Sequence, residues 1–108
     1  MEFVLIFTAL VFYISGYIML KWPPKYPNAF YGYRTPSAMK DEDSWGFAQS
    51  YSAQIMKITG VAGLILSVYY IRAGADTDTM GIVIGVYVLL STILLIGLTE
   101  VGIRNLNK

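Results

Sequence analysis

The chain has 108 residues, of which 56% are hydrophobic and only 14% charged, and its mean hydropathy is +0.54. Ordinary soluble domains carry about 25% charged residues, so this is a single small domain of membrane-protein composition. A net charge of +1 argues against nucleic acid as a partner, and the absence of cysteine and histidine removes disulfides, thiolate and imidazole metal sites and the commonest nucleophile and general base.

A membrane-crossing helix needs about 20 predominantly apolar residues. Three stretches meet that requirement: residues 3–20 and 80–99, both without charge, and residues 52–71, whose one charge is Lys57. The fold expected is therefore an all-α integral membrane protein with three transmembrane helices and a structured cytoplasmic loop, residues 21–51, between the first and second. The first stretch has no basic residue before it, only Glu2, and no small-x-small cleavage pattern after it. It reads as a permanent helix and not as a signal peptide.

Orientation follows from the distribution of lysine and arginine. Lys21, Lys25, Arg34 and Lys40 lie in the long loop, Arg104 and Lys108 lie near the C-terminus, and only Arg72 lies on the other side. The expected topology is N-terminus out, C-terminus in. Trp22 and Trp45 would mark the cytoplasmic boundary, and Tyr69 and Tyr70 the outer one.

Pro23 and Pro24 must end the first helix, because proline lacks an N–H and restricts the residue before it. Gly32 gives the loop a position for a turn of positive φ. Thr35-Pro36 has the form of a helix start, and Asp41, Glu42 and Asp43 favour a second start shortly afterwards. From residue 44 to residue 72 no proline interrupts, which predicts a helix of roughly 43 Å, longer than the hydrocarbon core. A short outer turn, residues 73–79, makes the second and third helices antiparallel.

The chemistry-bearing residues gather in the long loop. Asn28, Gly32, Arg34 and Thr35 suit an interfacial turn. They equally suit a specific site, in which Arg34 stacks on Tyr26, Phe30, Tyr31 or Tyr33 and presents its planar donors to a carboxylate or phosphate. Lys57 and Glu100 would both fall near the cytoplasmic helix ends, either as an intramembrane ion pair or as a snorkelling lysine and an interfacial acid; Arg34 could also reach Glu100. Gly81 and Gly85, with Gly60 and Gly63, offer faces for close helix packing, within one chain or in a homo-oligomer. The acids 41–43 point to helix electrostatics and not to a metal site.

The pattern Asn-x-x-x-Gly-Tyr-Arg-Thr-Pro at residues 28–36, followed by Trp45-x-x-x-Gln49 leading into a span, resembles the SdpI family of small bacterial integral membrane proteins. The matching positions are Asn28, Gly32, Arg34, Thr35, Trp45 and Gln49. The family's namesake protects its producer from a secreted membrane-active peptide toxin and takes part in sensing it. The resemblance therefore implies a non-enzymatic protein of the bacterial cytoplasmic membrane, without cofactor, concerned with toxin immunity or signal reception. Its partners would be membrane lipids and a peptide toxin or a cytoplasmic regulator. The alternative is an oligomer that binds or transports a small solute, ion or lipid. A lipid-processing enzyme would have to work with Arg34 and one of Asp41, Glu42, Asp43 or Glu100.

Overall fold

A computed structural model describes residues 2–28 and 30–106. Ala29, within the loop, and Lys108, counted above towards orientation, lie outside the described residues. Three helices form: α1 (Glu2–Lys21), α2 (Glu42–Ala73) and α3 (Thr77–Leu106). Each is long and apolar enough to cross a membrane. The chain is an all-helical, multi-pass membrane protein, with no strand among the described residues.

The boundaries follow local chemistry. After α1, Trp22 N–H still reaches the Ile18 carbonyl (2.8 Å), and the two prolines then stop the helix. Thr35 and Pro36 open only a single turn. Met39 N–H bonds the Thr35 carbonyl (3.0 Å) and Ala38 N–H bonds Thr35 Oγ1 (3.4 Å), after which the turn ends. Asp41 is extended (φ −153°, ψ 174°), and its carboxylate accepts the Ser44 N–H at 2.7 Å, which caps α2. That bond holds the Asp41 carboxyl below the usual carboxylate range. Gly74, at φ +74°, ends α2 with its N–H on the Tyr70 carbonyl. Asp76 then accepts the Thr79 N–H (2.7 Å), so residues 77–79 join α3 and the connection is shorter than the expected 73–79 turn.

The bundle is organised by small residues. Ala9 and Tyr13 of α1 meet Gly60 of α2, Ala9 also meets Gly63, and Gly16 meets Ala53 and Lys57, so the helices run antiparallel. Without a hydrophobic driving force between helices in lipid, close backbone approach is what holds them together. On α2 the buried positions include Trp45, Ala48, Gln49, Ser52, Thr59, Gly63 and Ser67, a helical stripe of mostly small or polar side chains. The large apolar residues of the spans face outward, as Phe7, Ile58, Ile65, Ile82 and Leu89 do. Buried hydroxyls return to their own helix: Ser67 bonds Gly63 O (2.8 Å) and Thr59 bonds Met56 O (3.1 Å).

Two packed clusters anchor α3. At the turn end, Leu5, Ala9, Met80 and Tyr87 come together. Phe12 meets the Tyr87 ring edge-on (5.8 Å), and the Tyr87 hydroxyl bonds the Thr59 carbonyl (2.8 Å). At the loop end, Ala38, Trp45, Ala48 and Ile103 form the second cluster, with Tyr33 and Phe47 against it. Gly81 and Gly85 face open space, whereas Gly60 and Gly63, with Gly16, make close contacts between α1 and α2, and Gly102 packs on the Phe47 ring.

Candidate functional site: the motif loop

The loop between α1 and α2 is held by side chains that replace missing secondary structure. Asn28 folds its first half: Oδ1 accepts from Phe30 N (2.9 Å) and Tyr31 N (2.7 Å), while Nδ2 donates to Tyr26 O (3.0 Å). The Tyr31 hydroxyl donates to Trp22 O at 2.7 Å, a carbonyl just beyond the end of α1, and lies 3.4 Å from Ile18 O, which already accepts the Trp22 N–H.

Gly32 has φ +101°, a conformation that residues with a Cβ rarely adopt. Space forbids a side chain there as well: a Cβ would stand 2.5 Å from Gln49 Oε1 and 2.8 Å from Pro24 Cγ. The close approach exists because Gln49, buried in α2, grips the next residue of the loop. Its Oε1 accepts Tyr33 N–H and its Nε2 donates to Tyr33 O, each at 2.7 Å. One side-chain amide thus pairs with the backbone as a neighbouring strand would. One turn earlier on α2, Trp45 is 1% exposed and its indole N–H donates to Pro24 O at 2.6 Å. Trp45 and Gln49 together fix both ends of the loop's inner edge.

The other anchor is Glu100 on α3. Its carboxylate receives the Tyr33 hydroxyl (2.6 Å), the Thr35 hydroxyl (2.8 Å) and the Ser37 hydroxyl. The Tyr33 oxygen also lies 3.5 Å from Ile96 O. Burial, together with the hydrogen bond to Glu100 and its negative charge, pushes the Tyr33 phenol well above its ordinary range. Three hydroxyls around one half-buried carboxylate spread its charge by hydrogen bonding. They also tie the loop to a helix more than sixty residues away in sequence.

The motif residues thus divide. Asn28, Gly32, Thr35, Trp45 and Gln49 all serve to fold the loop. Arg34, between Tyr33 and Thr35, two of the three residues that reach Glu100, is exposed. Lys57 and Glu100 have different surroundings: the Lys57 ammonium lies 5.6 Å from the centre of the Tyr13 ring, and Glu100 faces the three loop hydroxyls. Tyr33, Ser37 and Pro24 are essential to this geometry, yet their spacing carries no sign of it. No cluster of side chains able to hold a metal is present among the described residues.

Residues 25–99, which span the loop, α2 and most of α3, match the sequence model of the SdpI/YfhL protein family. The uncharacterized protein YfhL of Bacillus subtilis (strain 168) is 42% identical over 53 residues, covering 47% of this chain and 48% of that protein. The match thus spans about half the length of the curated relative. No solved structure matches the chain. With more than half of its length matched, loop and spans together, the chain belongs to the SdpI/YfhL family of membrane proteins.

Proposed function

We propose that this protein is a non-enzymatic receptor of the bacterial cytoplasmic membrane, of the toxin-immunity or signal-reception kind, with residues 28–49 as its interaction surface. The observation that carries this reading is the division of labour in the loop. Five motif residues fix the backbone, and exposed aromatic and charged side chains are left outside it. Phe30 is 92% exposed, with Arg34, Lys40 and the acids Asp41, Glu42 and Asp43 exposed in the same stretch, and Lys21, Trp22, Lys25 and Tyr26 exposed just before it. A rigid face that carries rings and charges of both signs binds an amphipathic partner at low ordering cost. Arginine supplies a planar donor fork, and the rings supply apolar area. The membrane orientation that fits is N-terminus out and C-terminus in, with the loop at the cytoplasmic surface.

The test is challenge of a sensitive Gram-positive host with a membrane-active peptide toxin, following membrane potential and survival. Wild-type protein is expected to preserve both, and Arg34→Ala at matched membrane level to preserve neither. A well-inserted wild type that gives no protection would overturn the immunity reading. A binding or transport role would then lead.

A further inference from the structure

Lys57 stands apart from the motif loop. It lies within the second span, and an ionisable side chain at that position needs a reason. Among the described residues its ammonium meets the Tyr13 ring and has no carboxylate within 4.0 Å. Its stem is seated between the helices by Gly16, where a Cβ would come within 2.9 Å of Lys57 Cγ.

Two hollows between α1 and α2 share Lys57 and Ile58. One, of about 200 Å³, is lined by Leu20, Gln54, Lys57 and Ile58, and the other, of about 380 Å³, by Tyr13, Lys57, Ile58 and Val61. They form one groove with a direction. Leu20 is the penultimate residue of α1, so the section containing Gln54 lies towards the loop end of the bundle. From Gln54 to Val61 the groove climbs roughly 10 Å along α2 and becomes apolar. The polar section is therefore nearest the membrane boundary and the apolar section nearest the hydrocarbon centre. Ile58 and Val61 are 68% and 45% exposed, so the groove opens on the lipid side.

We propose that this groove binds an anionic phospholipid of the leaflet on the loop side, phosphate on Lys57 and Gln54 and acyl chain along Tyr13, Ile58 and Val61. Charge complementarity selects the headgroup, and the groove's polar-to-apolar order matches the order of a lipid from surface to core. The Lys57 ammonium lies 5.6 Å from the centre of the Tyr13 ring, and to meet a phosphate beside Gln54 its flexible stem turns towards the boundary.

The experiment uses the purified full chain and brominated phosphatidylglycerol or phosphatidylcholine with the same acyl chains, read by quenching of tryptophan emission. Trp22, exposed and next to Lys21, reports from the loop end of the groove. One lysine near the surface is worth a roughly fivefold preference for the anionic lipid. That preference is expected in the wild type and in Lys57→Arg, and is expected to vanish in Lys57→Gln. Arg72→Gln, at the far end of α2 from the groove's polar section, is expected to keep it. Val61→Phe, which fills the apolar section without adding a tryptophan to the readout, should weaken both lipids alike. Equal binding of the two lipids by the wild type, an unchanged preference in Lys57→Gln, or no effect of Val61→Phe would each overturn the proposal.

Discussion

Replacing Gln49 by methionine keeps length and volume but deletes both hydrogen bonds to Tyr33. Each such bond contributes about 1 kcal/mol net, so the loop edge should lose about 2 kcal/mol, and more if Tyr33 N–H and C=O stay dehydrated. Since 1.4 kcal/mol is a factor of ten, the open population of the loop should rise roughly 30-fold. The readout is hydrogen exchange of the Tyr33 amide in lipid nanodiscs, because that N–H points at Gln49 Oε1 in the closed loop. Exchange should accelerate by about that factor at Tyr33 and stay unchanged in the outer halves of α1 and α3. Equal protection of the Tyr33 amide in wild type and Gln49→Met would refute the pairing. Acceleration spread evenly over all three helices would show instead that Gln49 acts on the whole bundle.

Gly60→Ala would place a Cβ 2.7 Å from both N and Cβ of Tyr13 and 2.9 Å from Ala9 O, atoms that move only if α1 does. It should cost about 1–3 kcal/mol in detergent-unfolding titrations, whereas Gly85→Ala, with open space around it, should cost nothing. Thr99 is fully buried and its hydroxyl has no partner among the described residues; Thr99→Val should leave stability unchanged or raise it by about 1 kcal/mol in the same titration. The neutral Tyr33 phenol is the donor to Glu100, and its folded pKa is raised above the ordinary value. Its contribution is therefore complete below the unfolded value of about 10 and lost as pH rises through the folded one. Thermal stability followed from pH 8 upward should show an alkaline loss that is smaller in Tyr33→Phe; identical alkaline profiles would remove Tyr33 from the latch.

The three spans were legible in the sequence because length and absence of charge are sufficient signals for a bilayer-crossing helix. The second start at residues 41–43 was legible as well, since helix capping is a local matter. The motif loop marked itself by composition, and the positive φ at Gly32 followed from the residue type. The contacts that hold the loop were not legible. Gln49 reaches Tyr33 and Glu100 reaches Tyr33, Thr35 and Ser37 across long sequence separations, and no periodicity encodes such pairings. Glu100 read as a partner for Lys57 or Arg34 because opposite charges are easy to match on paper. In the fold three neutral hydroxyls surround it, and hydroxyls leave no signature in charge patterning. Of the glycines whose spacing suggested close packing, Gly60 and Gly63 do make close approaches, while Gly81 and Gly85 face open space and Gly16, which the spacing did not mark, is a further contact.

The most direct test of the account is to place a photoreactive benzoylphenylalanine at Tyr33, irradiate native membranes, and map the cross-linked peptides by mass spectrometry. If the loop is a closed cap fixed on α3, cross-links should fall on α3 around Ile96 and Glu100, and Glu100→Ala should diminish them. Cross-links to lipid or to other proteins, with none on α3, would show that the loop does not rest where this account places it.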